Sequence, residues 1–257
     1  MRIAIVVGAS SGIGQSTAVQ LAKRGTGVIL TYRGNPAGAE ETVAAVEKEG
    51  GTAVALPLDV GRTETFPALR EQVVAALRDT WQRDTFDYLV NNAGFGGMAM
   101  FEETSEELFD RFMRVLLKGP YFLTQTLLPL IADGGAVVNV SSNSALPTGE
   151  VATGYSAYAT MKGGLNVLTR YLAKELAIRG IRVNAVSPGP TRTRLSDASG
   201  VVGFEAYPEV IPALAARTAL GRIGEPDDVG MVIATLLGEE SRWITAQNIE
   251  VSGGHDL

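Results

Sequence analysis

Short apolar runs alternate with amphipathic segments along the whole chain, and this alternation restricts the fold more than any other feature. Ile3–Val7, Val28–Tyr32, Ala53–Leu58, Tyr88–Val90, Ala136–Val140, Arg182–Val186 and Asn248–Val251 are rich in Val, Ile and Leu. They lack polar alternation, the pattern of strands covered on both faces. Between them, helical spacing links Leu69, Val73, Leu77 and Trp81, then Phe109, Phe112, Leu116, Leu123 and Leu127, then Val229, Val232, Ile233, Leu236 and Leu237. Glu225-Pro226-Asp227-Asp228 reads as a helix start, and Thr104 with Glu107 as a capping box. Repeated strand–helix units imply a doubly wound α/β fold, a parallel sheet of about seven strands with helices on both faces. No long linker, repeat or low-complexity tract interrupts the pattern, so residues 1–257 are expected to form a single domain. The irregular stretch 188–217, with Gly189, Gly200, Gly203, Pro208 and Pro212, reads as a substrate loop or lid.

Composition narrows the chemistry. The chain has 22 basic and 28 acidic residues and a net charge of −6, which argues against nucleic acid or an anionic membrane as main partner. It has no cysteine, so disulfides, thiolate metal sites and cysteine nucleophiles are excluded. The single histidine, His255, makes a histidine triad or a multi-histidine metal site implausible, and no metal is expected. The apolar run at the N-terminus is too short for a signal peptide and reads as a strand. No apolar stretch approaches the ~18–20 residues of a membrane span. A cytoplasmic protein is expected.

The first strand leads into Gly8-Ala-Ser-Ser-Gly12-Ile-Gly14, and a helical pattern follows. Glycines here permit a tight turn and close approach of the backbone to a pyrophosphate, and the helix supplies free N–H groups. Glycine clusters alone are often plain turns. The flanking strand and helix favour dinucleotide binding in a Rossmann-type domain, with Ser10, Ser11 and Ile13 between the glycines. The second strand ends Tyr32-Arg33-Gly34-Asn35, with an arginine and no acid. An acid there would bind the ribose 2′-OH of NAD, whereas an arginine accommodates the 2′-phosphate of NADP. NADP(H) is therefore favoured and NAD(H) kept as the alternative, the bland reading of Arg33 being a solvated loop residue. Asp59, followed by Val60, would either bind the adenine edge or cap the next helix.

Tyr158-Ala-Thr-Met-Lys162 places a phenol and an ammonium on one helical face, about 5–6 Å apart at Cβ. A near ammonium favours phenolate and would lower the tyrosine pKa. Most such pairs are solvated surface pairs. Here the stripe continues through Leu165, Thr169, Leu172 and Leu176, so it should face the sheet, with its polar end near the strand ends.

Taken together, these residues resemble the short-chain dehydrogenase/reductase family over essentially the whole chain. Gly8, Gly12 and Gly14 match its cofactor glycines, and Asn91-Asn92-Ala93-Gly94 the segment after its fourth strand. Ser142 matches the serine after the fifth strand, and Tyr158 with Lys162 the catalytic pair. Asn184 to Gly189 and Thr193 match the segment lining the nicotinamide. Ile244 to Gln247 and Val251 to Gly254 are also family-like. The resemblance implies hydride transfer between NAD(P) and a carbonyl or alcohol. Tyr158 would be the proton donor, Ser142 would hold the carbonyl oxygen, and Lys162 would bind the nicotinamide ribose. Asn91 or Asn92, with Ala93 and Gly94, would line the cofactor channel together with Pro188, Gly189 and Thr191, and Thr193 would hold the carboxamide. A homo-oligomer, tetramer or dimer, built on the helices carrying Leu116 and Tyr158, is likewise implied.

Two departures from the family stand out. Leu116 occupies the position of an asparagine that supports a water-mediated proton relay to the lysine. Tyr158 follows Ser142 by sixteen positions, more than is common, so Ser144 is kept as the fallback serine, while strand alternation turns Ser141 away. Phe95, Met98, Ser144, Leu146, Tyr155, Pro190, Leu195, Val201 and Phe204 are candidate substrate residues, each also explicable as packing. Their character suggests a neutral, apolar ketone, aldehyde or secondary alcohol. The competing readings are a 3-oxoacyl-carrier-protein reductase and a dinucleotide-binding protein with weakened catalysis.

Overall fold

The computed structural model describes residues 1–147, 151–193, 196–197, 200–201 and 208–257. Seven parallel strands form one sheet in the order β3-β2-β1-β4-β5-β6-β9. They are β1 (Ile3–Val7), β2 (Gly27–Tyr32), β3 (Ala53–Pro57), β4 (Phe86–Asn91), β5 (Ile131–Val140), β6 (Arg182–Pro188) and β9 (Asn248–Val251). A short antiparallel pair, β7 (Ser196–Asp197) with β8 (Gly200–Val201), stands apart. The chain order reverses between β1 and β4, so the C-terminal ends of those strands open a crevice, the usual place for a ligand in such sheets.

The alternation of side chains along β1 shows why both faces are covered. Ile3, Ile5 and Val7 join one apolar cluster, and Ala4 and Val6 join the other. The first cluster packs under α3 (Phe66–Trp81), α4 (Glu106–Met113), α5 (Gly119–Leu127) and α6 (Ser156–Glu175). The second packs under α1 (Gly12–Ala22), α2 (Pro36–Lys48) and α8 (Pro226–Leu237). A short α7 (Ile211–Ala216) precedes α8.

Several local expectations change. The third strand stops at Pro57 and is only half-buried, because β3 is the sheet edge, where a proline costs no ladder bond. The cap of α4 is Ser105, whose hydroxyl accepts from the Leu108 N–H at 3.2 Å, and Thr104 instead donates to the Met100 carbonyl. The helix start expected at Glu225-Pro226-Asp227-Asp228 is met by α8, and a capping box between Glu225 and Asp228 closes it. The apolar stripe from Phe109 to Leu127 is not one regular helix: Arg114–Lys118 is a π turn in which the Gly119 N–H reaches back to the Arg114 carbonyl. Pro120 supplies the cause. It has no N–H for the Leu116 carbonyl four residues earlier, so the helix loosens there.

Candidate active site

The glycine loop is held from three sides. The Gly8 N–H donates to Thr31 Oγ1 at 3.1 Å and the Ala9 N–H to the Thr31 carbonyl at 2.8 Å, both at the end of β2. Thr42 Oγ1 on α2 donates to the Ala9 carbonyl at 2.8 Å. Asn92 Nδ2 donates to the Gly8 carbonyl at 2.7 Å and to the Val7 carbonyl at 3.2 Å. Gly8 has φ +75, and a Cβ there would lie 2.7 Å from Ala93 Cα. A Cβ on Gly14 would lie 2.3 Å from the Gly8 carbonyl oxygen, so neither position takes a side chain without moving backbone. The first turn of α1 carries no acid, and the Ser11 side chain does not cap it. This cradle of N–H groups at a helix N-terminus suits a pyrophosphate.

The tertiary fold brings distant cofactor candidates to this loop. A Cβ on Gly12 would touch Thr193 Cγ2 at 3.3 Å, so the segment after β6 lies over the glycines. Thr191 Oγ1 donates to the Gly189 carbonyl, and Pro190 and Arg192 are tied by backbone bonds to Gly224. Arg33 is exposed at the end of β2 and makes no ion pair among the described residues. Asp59 does not cap α3. Its Oδ1 accepts from the Gly61 N–H at 2.9 Å, and the α3 cap is Thr65. The Val60 side chain is buried in the core.

Ser142, Tyr158 and Lys162 converge beside this crevice. Ser142 stands just past the end of β5 and caps the 3-10 turn Asn143–Ala145. Its Oγ lies 2.7 Å from Ser144 Oγ, accepts from the Ser144 N–H at 3.3 Å, and stands near enough to the Tyr158 hydroxyl to act on its ionisation. Lys162 Nζ is buried, donates to the Val140 carbonyl at 2.7 Å, and lies 5.9 Å from the Tyr158 ring centroid. Ser141 stays out of the hydroxyl cluster, yet it faces α6 and donates to the Lys162 carbonyl at 3.2 Å. Alternation places it on the same face as Asn139, whose amide reaches Thr169 on α6.

Burial sets the ionisation of the pair. The Tyr158 hydroxyl is pushed up to about 12, chiefly by desolvation, with the Ser142 hydrogen bond acting in the opposite direction and Tyr155 raising it further. Lys162 is lowered to about 8 by desolvation. The expectation that Lys162 holds the phenol below its ordinary value is not met here. The ammonium is spent on a backbone carbonyl, and burial disfavours the charged form of both groups.

An aromatic shelf supports the tyrosine. Phe112 meets the Tyr158 ring edge-on at 6.0 Å, Tyr155 does so at 6.0 Å, and Phe95 stacks on Phe112 at 5.0 Å. The Ala99 N–H donates to the Gly154 carbonyl, joining the loop after β4 to the residues before α6. Met98, Phe101 and Val151 are exposed along this rim, and Leu146 is half-buried nearby in sequence to Ser144. Leu195 and Phe204 lie outside the described residues, as does the side chain of Val201.

Sequence reading missed the buried polar ladder behind the site. Asn91 Nδ2 donates to Asn139 Oδ1 at 2.9 Å and to Thr124 Oγ1 at 3.0 Å, and Asn139 Nδ2 donates to Thr169 Oγ1 at 2.9 Å. The available signal was an asparagine inside the apolar run Ala136–Val140, because a buried amide must find partners. Asn166 was also missed; its Nδ2 donates to the Ala145 carbonyl and pins the Ser142 turn to α6. Among the described residues no cluster suits a metal ion, and no helix is long and apolar enough to cross a membrane. A depression of about 490 Å³ lined by Arg2, Arg24, Arg83 and Asp87 lies at the opposite strand ends, remote from this chemistry.

A family model described as enoyl-(acyl carrier protein) reductase, of the short-chain dehydrogenase type, matches residues 8–256. The chain belongs to the short-chain dehydrogenase/reductase family. It is 38% identical to an uncharacterized oxidoreductase of Methylorubrum extorquens, over 98% of this chain and 97% of the relative. Among solved structures, the promiscuous reductase LugOII, which catalyses keto-reduction at C1 during lugdunomycin biosynthesis, superposes with a TM-score of 0.91 at 36% identity, covering 100% of this chain and 98% of its own. The angucycline C-6 ketoreductase LanV, solved with bound NADP, gives 0.91 at 34% identity, covering 99% and 95%.

Within this NAD(P)-dependent dehydrogenase/reductase, Leu116 is a core residue, 1% exposed, that closes the space beside the catalytic candidates. A Cβ on Gly94 would lie 3.1 Å from Leu116 Cδ2 and 3.8 Å from Lys162 Nζ, so the leucine methyl and the ammonium flank the same spot. Leu116→Asn therefore exchanges packed methyls for a buried amide. It should cost about 2–4 kcal/mol and lower the melting temperature by roughly 5 °C or more. An unchanged melt, read by circular dichroism, would mean that the space accepts an amide and a relay water.

Proposed function

We propose that this enzyme is an NADP(H)-dependent ketoreductase that reduces a ring ketone on a small, largely apolar substrate, or oxidises the matching secondary alcohol. The observation that carries this reading is the convergence of Ser142, Tyr158 and buried Lys162 at the strand ends that also hold the glycine cradle. When bound, the cofactor supplies hydride from nicotinamide C4 to the carbonyl carbon. Gly8, Gly12 and Gly14 admit its pyrophosphate, and Arg33 takes its 2′-phosphate. Asn92 works indirectly, by fixing the Gly8 carbonyl.

Tyr158 is held as the neutral acid by burial, so it has a proton to give at neutral pH. That proton passes from its hydroxyl to the carbonyl oxygen as the alkoxide forms, leaving a phenolate. Ser142 donates a hydrogen bond to the developing charge. Lys162, with a pKa of about 8, is largely charged at neutral pH, and its role is to bind the nicotinamide ribose.

The substrate class rests on the rim. Met98, Phe101 and Val151 offer exposed apolar surface, and Glu102 and Glu103 beside them are acidic. An acidic rim disfavours docking of an acidic carrier protein and suits a free neutral ketone. LugOII and LanV, both ketoreductases by description, support the same direction. Part of the segment 188–217, read from the sequence as the substrate loop or lid, lies outside the described residues. Exposed Tyr121, Phe122, Val167 and Tyr171 on α5 and α6 suit the face of a homo-oligomer.

The test is NADPH oxidation by the purified protein across free ring ketones, open-chain ketones and a carrier-bound 3-oxoacyl substrate. Ring ketones should turn over fastest. NADPH binding without turnover of any class would overturn the enzyme reading, and preference for the carrier-bound substrate would overturn the substrate class.

A further inference from the structure

Ser142 has one hydrogen and two lone pairs to distribute. Its oxygen already accepts the Ser144 N–H at 3.3 Å, it lies 2.7 Å from the Ser144 hydroxyl, and the Tyr158 hydroxyl is near enough to feel it. Two directions of these hydrogens bear on the reaction. In one, Ser144 donates to Ser142, which fills both lone pairs and leaves the Ser142 hydrogen for Tyr158 or for a substrate oxygen. In the other, Tyr158 donates to Ser142 and Ser142 donates to Ser144, which turns the acidic proton of Tyr158 away from any substrate. The first direction alone serves the reaction.

We propose that Ser144 is a positioning residue rather than a substrate contact: its hydroxyl and N–H together fix Ser142 as a one-way donor, so that the Tyr158 proton faces the substrate carbonyl. This rests on the ketoreductase reading above. The turn is built to hold Ser144 in place. Ser142 caps it, the Leu146 N–H donates to the Asn143 carbonyl at 2.9 Å, and Asn166 on α6 anchors the Ala145 carbonyl at 3.2 Å. Residue 144 is thus set against Ser142 by the same helix that carries Tyr158 and Lys162. The arrangement also explains how a longer loop between Ser142 and Tyr158 leaves the serine in register: the turn closes within three residues, and the extra length lies beyond it.

The experiment compares wild type, Ser144→Ala, Ser144→Thr and Tyr158→Phe with NADPH and one ring ketone taken from the panel. Ser144→Ala should lower kcat about 3- to 10-fold, the loss of one neutral hydrogen bond in the transition state. The ketone KM, the NADPH affinity read by fluorescence, and the melting temperature should stay close to wild type. Ser144→Thr keeps the hydroxyl and should restore most of kcat. A raised KM at unchanged kcat would make Ser144 a substrate contact and overturn the proposal, as would full activity of Ser144→Ala in an enzyme that Tyr158→Phe silences. If wild type itself reduces no ketone, the ketoreductase reading fails first, and the positioning role falls with it.

Discussion

Replacing Tyr158 by phenylalanine is expected to lower ketone turnover by on the order of 10³-fold while NADPH affinity stays within about twofold, one hydroxyl being a small part of that binding. The substitution keeps the ring, so the edge-on contacts with Phe112 and Tyr155 survive and the α6 stripe stays packed. What disappears is the buried hydroxyl beside Ser142, the one that carries the transferable proton. Burial holds that hydroxyl protonated far above neutral pH, so wild type always presents the acid form during reduction. Ser142 keeps its bonds to Ser144, so the melting temperature should move little. The measurement is steady-state NADPH oxidation beside a fluorescence titration of NADPH. Retention of more than a tenth of wild-type turnover would show that the proton comes from another group, and loss of NADPH binding would show that the variant had lost its site rather than its acid.

Arg33→Ala is expected to weaken NADPH about 10- to 100-fold and leave NADH nearly unchanged. The guanidinium is exposed, follows the last residue of β2, and has no carboxylate partner among the described residues. Its removal therefore disturbs no internal ion pair. Asn35 beside it is already committed, capping α2 through the Gly38 N–H at 3.1 Å. A charge-assisted bond from guanidinium to a 2′-phosphate accounts for the expected loss, and NADH lacks that phosphate. Titration of both cofactors against wild type and variant decides the matter. Equal weakening of the two would remove the 2′-phosphate assignment, and an unchanged NADPH affinity would make Arg33 a plain solvated residue.

The sheet was legible because its central strands are buried on both faces. Continuous Val/Ile/Leu runs such as Ile3–Val7 leave few alternatives to a parallel strand covered by helices, and the observed limits of β1 and β9 match the expectation. Edges and ends were less legible. β3 stops at Pro57 because it is the sheet edge, and nothing local distinguishes an edge strand from a central one. β4 and β5 run longer than their apolar cores, since Asp87 looks like an interruption until Arg2 is placed against it, and β5 reaches back through Asp133, Gly134 and Gly135 to Ile131. The π turn before α5 follows from Pro120 and was hidden by the unbroken apolar stripe.

The sequence by itself determined the glycine loop, the helical spacing of Tyr158 and Lys162, and the arginine at the end of β2. Each depends on neighbours a few residues apart, and local geometry follows local sequence. The tertiary structure alone decided how those groups behave. Packing under the sheet raised the Tyr158 hydroxyl and lowered Lys162, because removal from water disfavours both charged forms regardless of their spacing. It laid Thr193 over Gly12, tied Asn92 to Gly8, and set Ser144 against Ser142 through a turn anchored by Asn166. Such contacts join residues distant in the chain, and only the closed sheet brings them within hydrogen-bond reach.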